Sequence, residues 1–168
     1  AVGEVSVIAA PGREGKTYAT VHVAACCVLG HSLGGLPAPA RLRVLCYSNE
    51  DDRKQYAKKV LAIRSRLPAD DSQRFREGFI VPNLEAPGLI EARAIVGISE
   101  RRRPIPTKMV DTLINVLRPK TTGSDRIGMI IFETASTLSD ADEDNLGLKT
   151  LVAALKRIAR ELSVAVLL

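Results

Sequence analysis

Residues 5–17 read VSVIAAPGREGKT, and this segment indicates the fold class. Its first half is short, aliphatic and rich in β-branched residues, which predicts a buried strand over Val5–Ala10 that Pro11-Gly12 closes. Residues 16–29 are almost entirely apolar and precede Gly30, which predicts a helix packed against a sheet with glycine as its C-terminal stop. The chain therefore opens with a strand, a glycine-containing turn and a helix.

The turn has the form of a phosphate-binding loop, with Ala10 in place of the usual leading glycine. Backbone N–H groups must surround an anion in such a loop, and the following helix presents its positive end to the phosphates. We expect Lys16 to reach the β- and γ-phosphates of ATP and Thr17 to bind Mg²⁺ through its hydroxyl. A chance match in a turn is the alternative, and the strand before the loop and the helix after it argue against it. The residues predicted to hold the nucleotide are Pro11, Gly12, Arg13, Glu14, Gly15, Lys16, Thr17 and Tyr18.

The rest of the chain alternates between strand and helix patterns. Residues 82–106 have no clear period. Alternation of this kind predicts an α/β fold with a mostly parallel central sheet flanked by helices. Further strands are predicted at Leu42–Tyr47, Phe79–Val81, Ile127–Phe132 and Val164–Leu168, and further helices at 52–67 (stopped by Pro68), from Pro106 through Leu117, and over 148–162. On the helix at 52–67, the polar residues Arg53, Lys54, Lys58 and Lys59 are predicted to face water.

Length and composition place the chain in a broad class. It has 168 residues, of which 46% are hydrophobic, and it carries a net charge of +5. These values fit one globular domain spanning 1–168, and the charge permits a nucleic-acid partner without indicating one. The aliphatic run at its end leads us to expect a domain truncated at the C-terminal side.

The same survey predicts a cytoplasmic protein. No apolar stretch approaches the ~20 residues that span a bilayer, and no signal segment opens the chain. Cys26, Cys27 and Cys46 have neither metal-ligand spacing nor an even disulfide framework, so we expect reduced, buried thiols.

Two carboxylates follow predicted strands at positions that suit ATP hydrolysis. Glu133 ends an aliphatic strand, where an acidic residue, usually Asp, holds the magnesium shell. Glu50 closes the second strand and is positioned to accept the proton of an attacking water, so Glu50 and Lys16 are the predicted catalytic residues. The alternatives are a turn cap for Glu133 and a helix N-terminal acid for Glu50.

These motifs, in this order, resemble the RecA-like ATPase core of plasmid replicative helicases of the RepA type, and more distantly the DnaB helicases. The resemblance implies a three-layer RecA-like P-loop NTPase that hydrolyses ATP between neighbouring subunits of a homo-oligomeric ring, a hexamer in these helicases. It also implies a role for single-stranded DNA. Its matching pieces are the loop through Gly15-Lys16-Thr17, then Asn49-Glu50-Asp51, Ile130–Thr134, the acidic Asp140–Asn145 and the closing helix and strand.

Several alternatives stay open at this level. The run Arg101–Arg103 could neutralise nucleic-acid phosphates, but such a run is more often a solvated surface loop. His22 and His31 have no partner that argues for catalysis, and Asp140–Asp144 fits a solvated helix entry better than a metal site. We expect one of two functions. The first is an ATP-driven motor or DNA-dependent ATPase, and the second is a nucleotide-binding switch or scaffold with little hydrolysis. A small-molecule phosphotransferase ranks last, because no lid rich in arginine is evident.

Overall fold

The computed structural model describes residues 2–9, 14–35, 41–48, 53–82, 94–133, 135–140 and 145–168. Its strands are β1 Val5–Ser6, β2 Arg43–Ser48, β3 Phe79–Ile80, β4 Val96–Ile98, β5 Pro104–Pro106, β6 Ile127–Glu133 and β7 Ala165–Leu167. Its helices are α1 Lys16–Leu29, α2 Arg53–Arg64, α3 Ala69–Gly78, α4 Met109–Leu117, α5 Ala135–Leu138 and α6 Asn145–Leu162, with a 3-10 turn at Arg118–Lys120.

A five-stranded parallel sheet forms the centre of the domain. Its order is β1-β7-β6-β2-β3, and every neighbouring pair is parallel. Because parallel neighbours need crossover connections, helices must pass over the faces of the sheet between them. The predicted α/β class with a mostly parallel sheet is confirmed. The strands β4 and β5 lie outside this sheet and pair with each other in antiparallel fashion.

The two faces of the sheet bury two separate apolar clusters. On β2, Val44 and Cys46 join the cluster that includes α1, Tyr56 of α2 and Phe75 of α3. Leu45 and Tyr47 join the other cluster, which α4 and α6 supply from the opposite side. Alternate residues of one strand thus enter opposite cores, as the pleat requires. Three layers follow, with helices on both sides of the sheet.

Helix α1 has the predicted bounds and the predicted stop. It runs from Lys16 to Leu29 with Val21 and Ala24 fully buried. Gly30 adopts φ 71°, and its N–H donates to the carbonyl of Cys26. That left-handed conformation costs glycine little, which explains why the helix ends there.

Parts of the fold differ from the sequence prediction, which did not include β4, β5 or α5. The helix predicted over 52–67 ends at Arg64. Pro68, predicted only as its stop, is followed directly by a second helix, α3. The buried residues of α3 are only Phe75 and Gly78, so it carries too little apolar periodicity to be recognised. The strand predicted over Val5–Ala10 is shorter, since β1 covers Val5–Ser6 alone. None of the described helices is both long and apolar enough to cross a membrane.

Candidate functional site

The carboxyl ends of β2 and β6 lie side by side in the sheet, with Ser48 in register with Glu133. Ser48 lies two residues after Cys46, and Glu133 lies two residues after Ile131, so each pair shares one face of the sheet. Cys46 and Ile131 face the side that α1 covers. The first turns of α1 therefore meet this edge of the sheet. In open parallel sheets, ligands bind at this edge.

The N-terminus of α1 is arranged for an anion. Its N-cap is Gly15, whose φ of 79° is a left-handed conformation that suits glycine. Among the described residues, no side chain caps this end and its first turn holds no acid. The positive end of the helix dipole is therefore not neutralised there by a side chain. Lys16 and Thr17 are half-buried, whereas Glu14 and Tyr18 are exposed.

A buried hydrogen bond ties α1 to the end of β6. Glu133 is 7% exposed and Thr20 is 5% exposed. The Thr20 hydroxyl donates to Glu133 Oε1, and it also lies 3.0 Å from the carbonyl oxygen of Thr17. A hydroxyl carries one proton, and an ionised carboxylate is the stronger acceptor of the two. Thr20 thus connects the predicted magnesium ligand Thr17 with the predicted acidic residue Glu133.

Lys59 of α2 also reaches the site. Its Nζ lies 3.5 Å from Thr17 Oγ1, at the long limit of a hydrogen bond, and the side chain is half-buried. The expectation that Lys59 faces water is therefore wrong. The helix turns this side chain inward because α2 packs on α1. A second ammonium, beside that of Lys16, adds positive charge next to the N-terminus of α1.

The oxygen atoms at this edge fit a magnesium ion. Ser48 Oγ is buried and has no hydrogen-bond partner within the described parts of the chain. A buried hydroxyl without a partner is costly unless a ligand or water satisfies it. The Ser48 and Thr17 hydroxyls and the Glu133 carboxylate are hard oxygen donors, the kind that Mg²⁺ prefers.

Beneath these oxygens, Cys46 and Tyr56 form a buried contact, with 2.9 Å between Cys46 Sγ and Tyr56 Oη. Burial raises the pKa of the Cys46 thiol far above its usual range, the negative charge of Glu133 raises it further, and the Tyr56 contact lowers it slightly. Cys46 therefore stays a neutral thiol. All three cysteines are free and buried, as predicted, and burial also raises the pKa of Cys26 and Cys27.

Part of the predicted site lies outside the described residues. Pro11, Gly12, Arg13 and Glu50 belong to this group, as do residues 141–144 of the acidic run. Of the two histidines, His31 lies 3.8 Å from Asp71, and His22 lies 3.9 Å from the Cys26 sulfur. Both are exposed.

Sequence reasoning missed Thr20, Lys59 and Ser48. Thr20 had a usable signal, because it follows Thr17 by one helical turn and is a polar residue in an apolar helix. The contact of Lys59 depends on how α2 packs on α1, which no local pattern reveals. Ser48 lies beside Glu133 because of the register of β2 against β6, which the sequence alone does not give.

Comparisons with known proteins support the family and the fold. A family model described as an AAA domain matches residues 1–168. Among solved structures, the crystal structure of the RadB recombinase is similar to 100% of this chain and 61% of that chain, with a TM-score of 0.53 and 16% sequence identity. The present chain thus spans less than two thirds of that protein's length. At this identity the likeness shows the fold alone, and it confirms the predicted three-layer RecA-like α/β class. No curated protein matches the chain.

Proposed function

Because this chain belongs to the AAA domain family, we propose that it binds ATP with Mg²⁺ at the N-terminus of α1 and hydrolyses it, as the motor domain of a DNA helicase or other DNA-dependent ATPase. The observation that carries the proposal is the hydrogen bond from Thr20 to the buried Glu133. It holds a carboxylate next to the turn of α1 that begins with Lys16 and Thr17. A core residue without a ligand to serve has little reason to be a charged glutamate.

Each residue then has a separate role. Lys16 and the N–H groups of the first turn of α1 neutralise the phosphates. Thr17, Glu133 and Ser48 would hold Mg²⁺, which when bound draws negative charge from the β- and γ-phosphates. Glu50 accepts a proton from the attacking water while the water oxygen bonds to the γ-phosphorus. The bond between that phosphorus and the bridging oxygen breaks, and ADP and phosphate leave.

The decisive experiment separates binding from hydrolysis in the full-length protein. Lys16→Ala should abolish tight binding of a fluorescent ATP analogue, because the charge opposite the β- and γ-phosphates is lost. Glu50→Gln should leave binding intact and slow hydrolysis by roughly 10²–10⁴-fold, the usual contribution of a general base. Lys149→Ala, an exposed lysine of α6, is the matched control. Unchanged affinity in Lys16→Ala would refute the phosphate-site assignment.

One observation favours a second function, a nucleotide-dependent switch with little hydrolysis. Glu133 stands where an aspartate is usual, and its carboxylate already accepts a hydrogen bond from Thr20. A longer acid held in this way would bind the metal with altered geometry and lower the rate. Tight ATP binding without turnover, with or without single-stranded DNA, would establish the switch and exclude the motor.

We extend the first proposal to assembly, because the resemblance to ring helicases implies that neighbouring subunits complete the site. Sedimentation with and without ATP and Mg²⁺ tests this point. A protein that hydrolyses ATP rapidly as a monomer at all concentrations would contradict the ring.

A further inference from the structure

The antiparallel ribbon of β4 and β5 is a separate, ordered projection. Its register pairs Val96 with Pro106 and Ile98 with Pro104. The tip is closed by hydrogen bonds, because Ser99 N donates to Arg103 O at 2.9 Å and Arg102 N donates to Ser99 O at 2.8 Å. The Ser99 hydroxyl also accepts from Arg103 N at 3.1 Å. Arg101–Arg103, expected as a solvated loop, therefore sit on a defined hairpin turn.

The tip carries net positive charge, because three arginines follow a single acid, Glu100, in the turn. All three arginine side chains are exposed, and none forms an ion pair within the described residues. Other surface arginines do pair, as Arg118 does with Glu161 and Arg157 with Asp111. Charges that the protein does not neutralise itself are available to an anionic partner.

Apolar side chains and prolines accompany these cations. Ile98 is 54% exposed and Ile105 is 45% exposed. Ile98 pairs with Pro104 and Ile105 pairs with Gly97, so the two side chains lie on opposite faces of the ribbon, and each face carries aliphatic surface near the arginines. Thr107 N bonds to Ile95 O, and Ser99 N bonds to Arg103 O. Hydrogen-bonded and non-hydrogen-bonded pairs alternate along an antiparallel ribbon, so Pro104 and Pro106 belong to the non-hydrogen-bonded pairs. The backbone nitrogens at these two positions therefore point away from β4. This edge cannot donate to an added peptide strand, which disfavours a protein partner that binds by strand addition.

The base of the ribbon is fixed to the segment that follows β6. Ile95 N donates to Leu138 O at 2.7 Å, and Asp140 N donates to Val96 O at 3.0 Å. Ile95 and Val96 are fully buried. The tip is thus held on a rigid base close to the end of the strand that carries Glu133.

We propose that this ribbon binds single-stranded nucleic acid, with Arg101–Arg103 on the phosphodiester backbone and Ile98, the more exposed of the two isoleucines, against the bases or sugars. A polymer with phosphates beside flat apolar faces matches cations beside aliphatic side chains. The inference rests on the proposed function in one respect, since it names the nucleic-acid contact of the DNA-dependent ATPase.

The test measures binding of end-labelled oligo(dT) and oligo(U) of equal length to the full-length protein at several salt concentrations. The triple variant Arg101→Gln, Arg102→Gln, Arg103→Gln should lower the slope of log affinity against log salt by about 2, because each phosphate contact to a single strand contributes about 0.7. At 0.1 M salt this corresponds to about 10²-fold weaker binding. The control replaces the exposed Arg66, Arg76 and Arg126 with Gln and removes the same charge elsewhere.

Hydrogen exchange on the unmodified protein supplies a readout that needs no variant. Amides 99–103 should become protected when the oligonucleotide binds. The relative affinity of oligo(dT) and oligo(U) identifies DNA or RNA as the partner. Basal ATP hydrolysis is measured in the same samples.

The outcomes separate the two proposals. Equal losses in the hairpin and control variants, or bound oligonucleotide without protection at 99–103, would overturn the ribbon and leave a DNA-dependent ATPase standing. Tighter binding of poly(Glu) than of either oligonucleotide would identify an acidic protein as the partner and also overturn it. Absent ATP hydrolysis together with ribbon-dependent oligonucleotide binding would overturn the motor and keep the ribbon.

Discussion

Thr20→Val tests the hydrogen bond on which the candidate site depends. Threonine and valine have similar shape and similar helix propensity, so the substitution removes little besides the hydroxyl. Both Thr20 and Glu133 are buried, at 5% and 7% exposure, so water cannot readily replace the lost donor. A hydrogen bond to a charged group contributes about 1.5–3 kcal/mol, and we expect the free energy of unfolding to fall by that amount. Urea denaturation followed by circular dichroism measures it.

A double-mutant cycle with Glu133→Gln assigns the loss to this pair. Residues in direct contact show coupling energies of about 0.5–3 kcal/mol, whereas independent sites add to within about 0.5 kcal/mol. Thr150→Val is the control, because its hydroxyl donates only to the Leu146 carbonyl within α6, at 2.8 Å. It should change stability by less than about 0.5 kcal/mol. Additive effects of Thr20→Val and Glu133→Gln would show that the two side chains do not interact.

Three further predictions concern the same region and the core. Glu133→Asp should raise magnesium-dependent turnover if the extra methylene displaces the metal shell, and an unchanged or lower rate would show that Glu133 is already well placed. Gly78→Ala should lower the free energy of unfolding by roughly 1–3 kcal/mol, because a Cβ there would lie 2.5 Å from Val28 Cγ1. This loss is expected although Ala normally favours a helix over Gly. Val28→Ala in the same chain should relieve the clash. Burial raises the pKa of Cys46, so as the pH rises above about 8.5 this thiol ionises in the unfolded chain before it does so in the folded protein. The free energy of unfolding should therefore fall by up to about 1.4 kcal/mol per pH unit. Cys46→Ala should reduce this slope.

The sequence predicted those elements in which a local pattern and its environment agree. Helix α1 has the predicted bounds because its apolar run and Gly30 give the same answer. Helix α4 buries Val110, Leu113, Ile114 and Leu117, which recur three and four residues apart as one face of a helix requires. By contrast, α3 has few apolar residues and packs against α1, where Val28 lies, so the contacts that stabilise it come from a helix distant in sequence.

The candidate site divides in the same way. Lys16 and Thr17 are recognisable because a phosphate loop needs its glycine and lysine at fixed spacing. Thr20, Lys59 and Ser48 reach the site through helix packing and strand register. Such contacts have no short-range signal. The roles of Lys16, Thr17, Glu50, Glu133 and the first half of the loop stay predictions.

The attachment of the β4–β5 ribbon to the segment after β6 has a thermodynamic consequence. Residues 138–140 follow Glu133 closely in the chain and bond to Ile95 and Val96. If nucleotide binds at Glu133 and nucleic acid binds at the ribbon, a ligand that shifts this segment at one end would change the binding equilibrium at the other. Such linkage is reciprocal, so if nucleotide alters the affinity of the ribbon for its partner by some factor, the partner alters nucleotide affinity by the same factor. The two affinities, measured in opposite directions, must therefore give one coupling free energy.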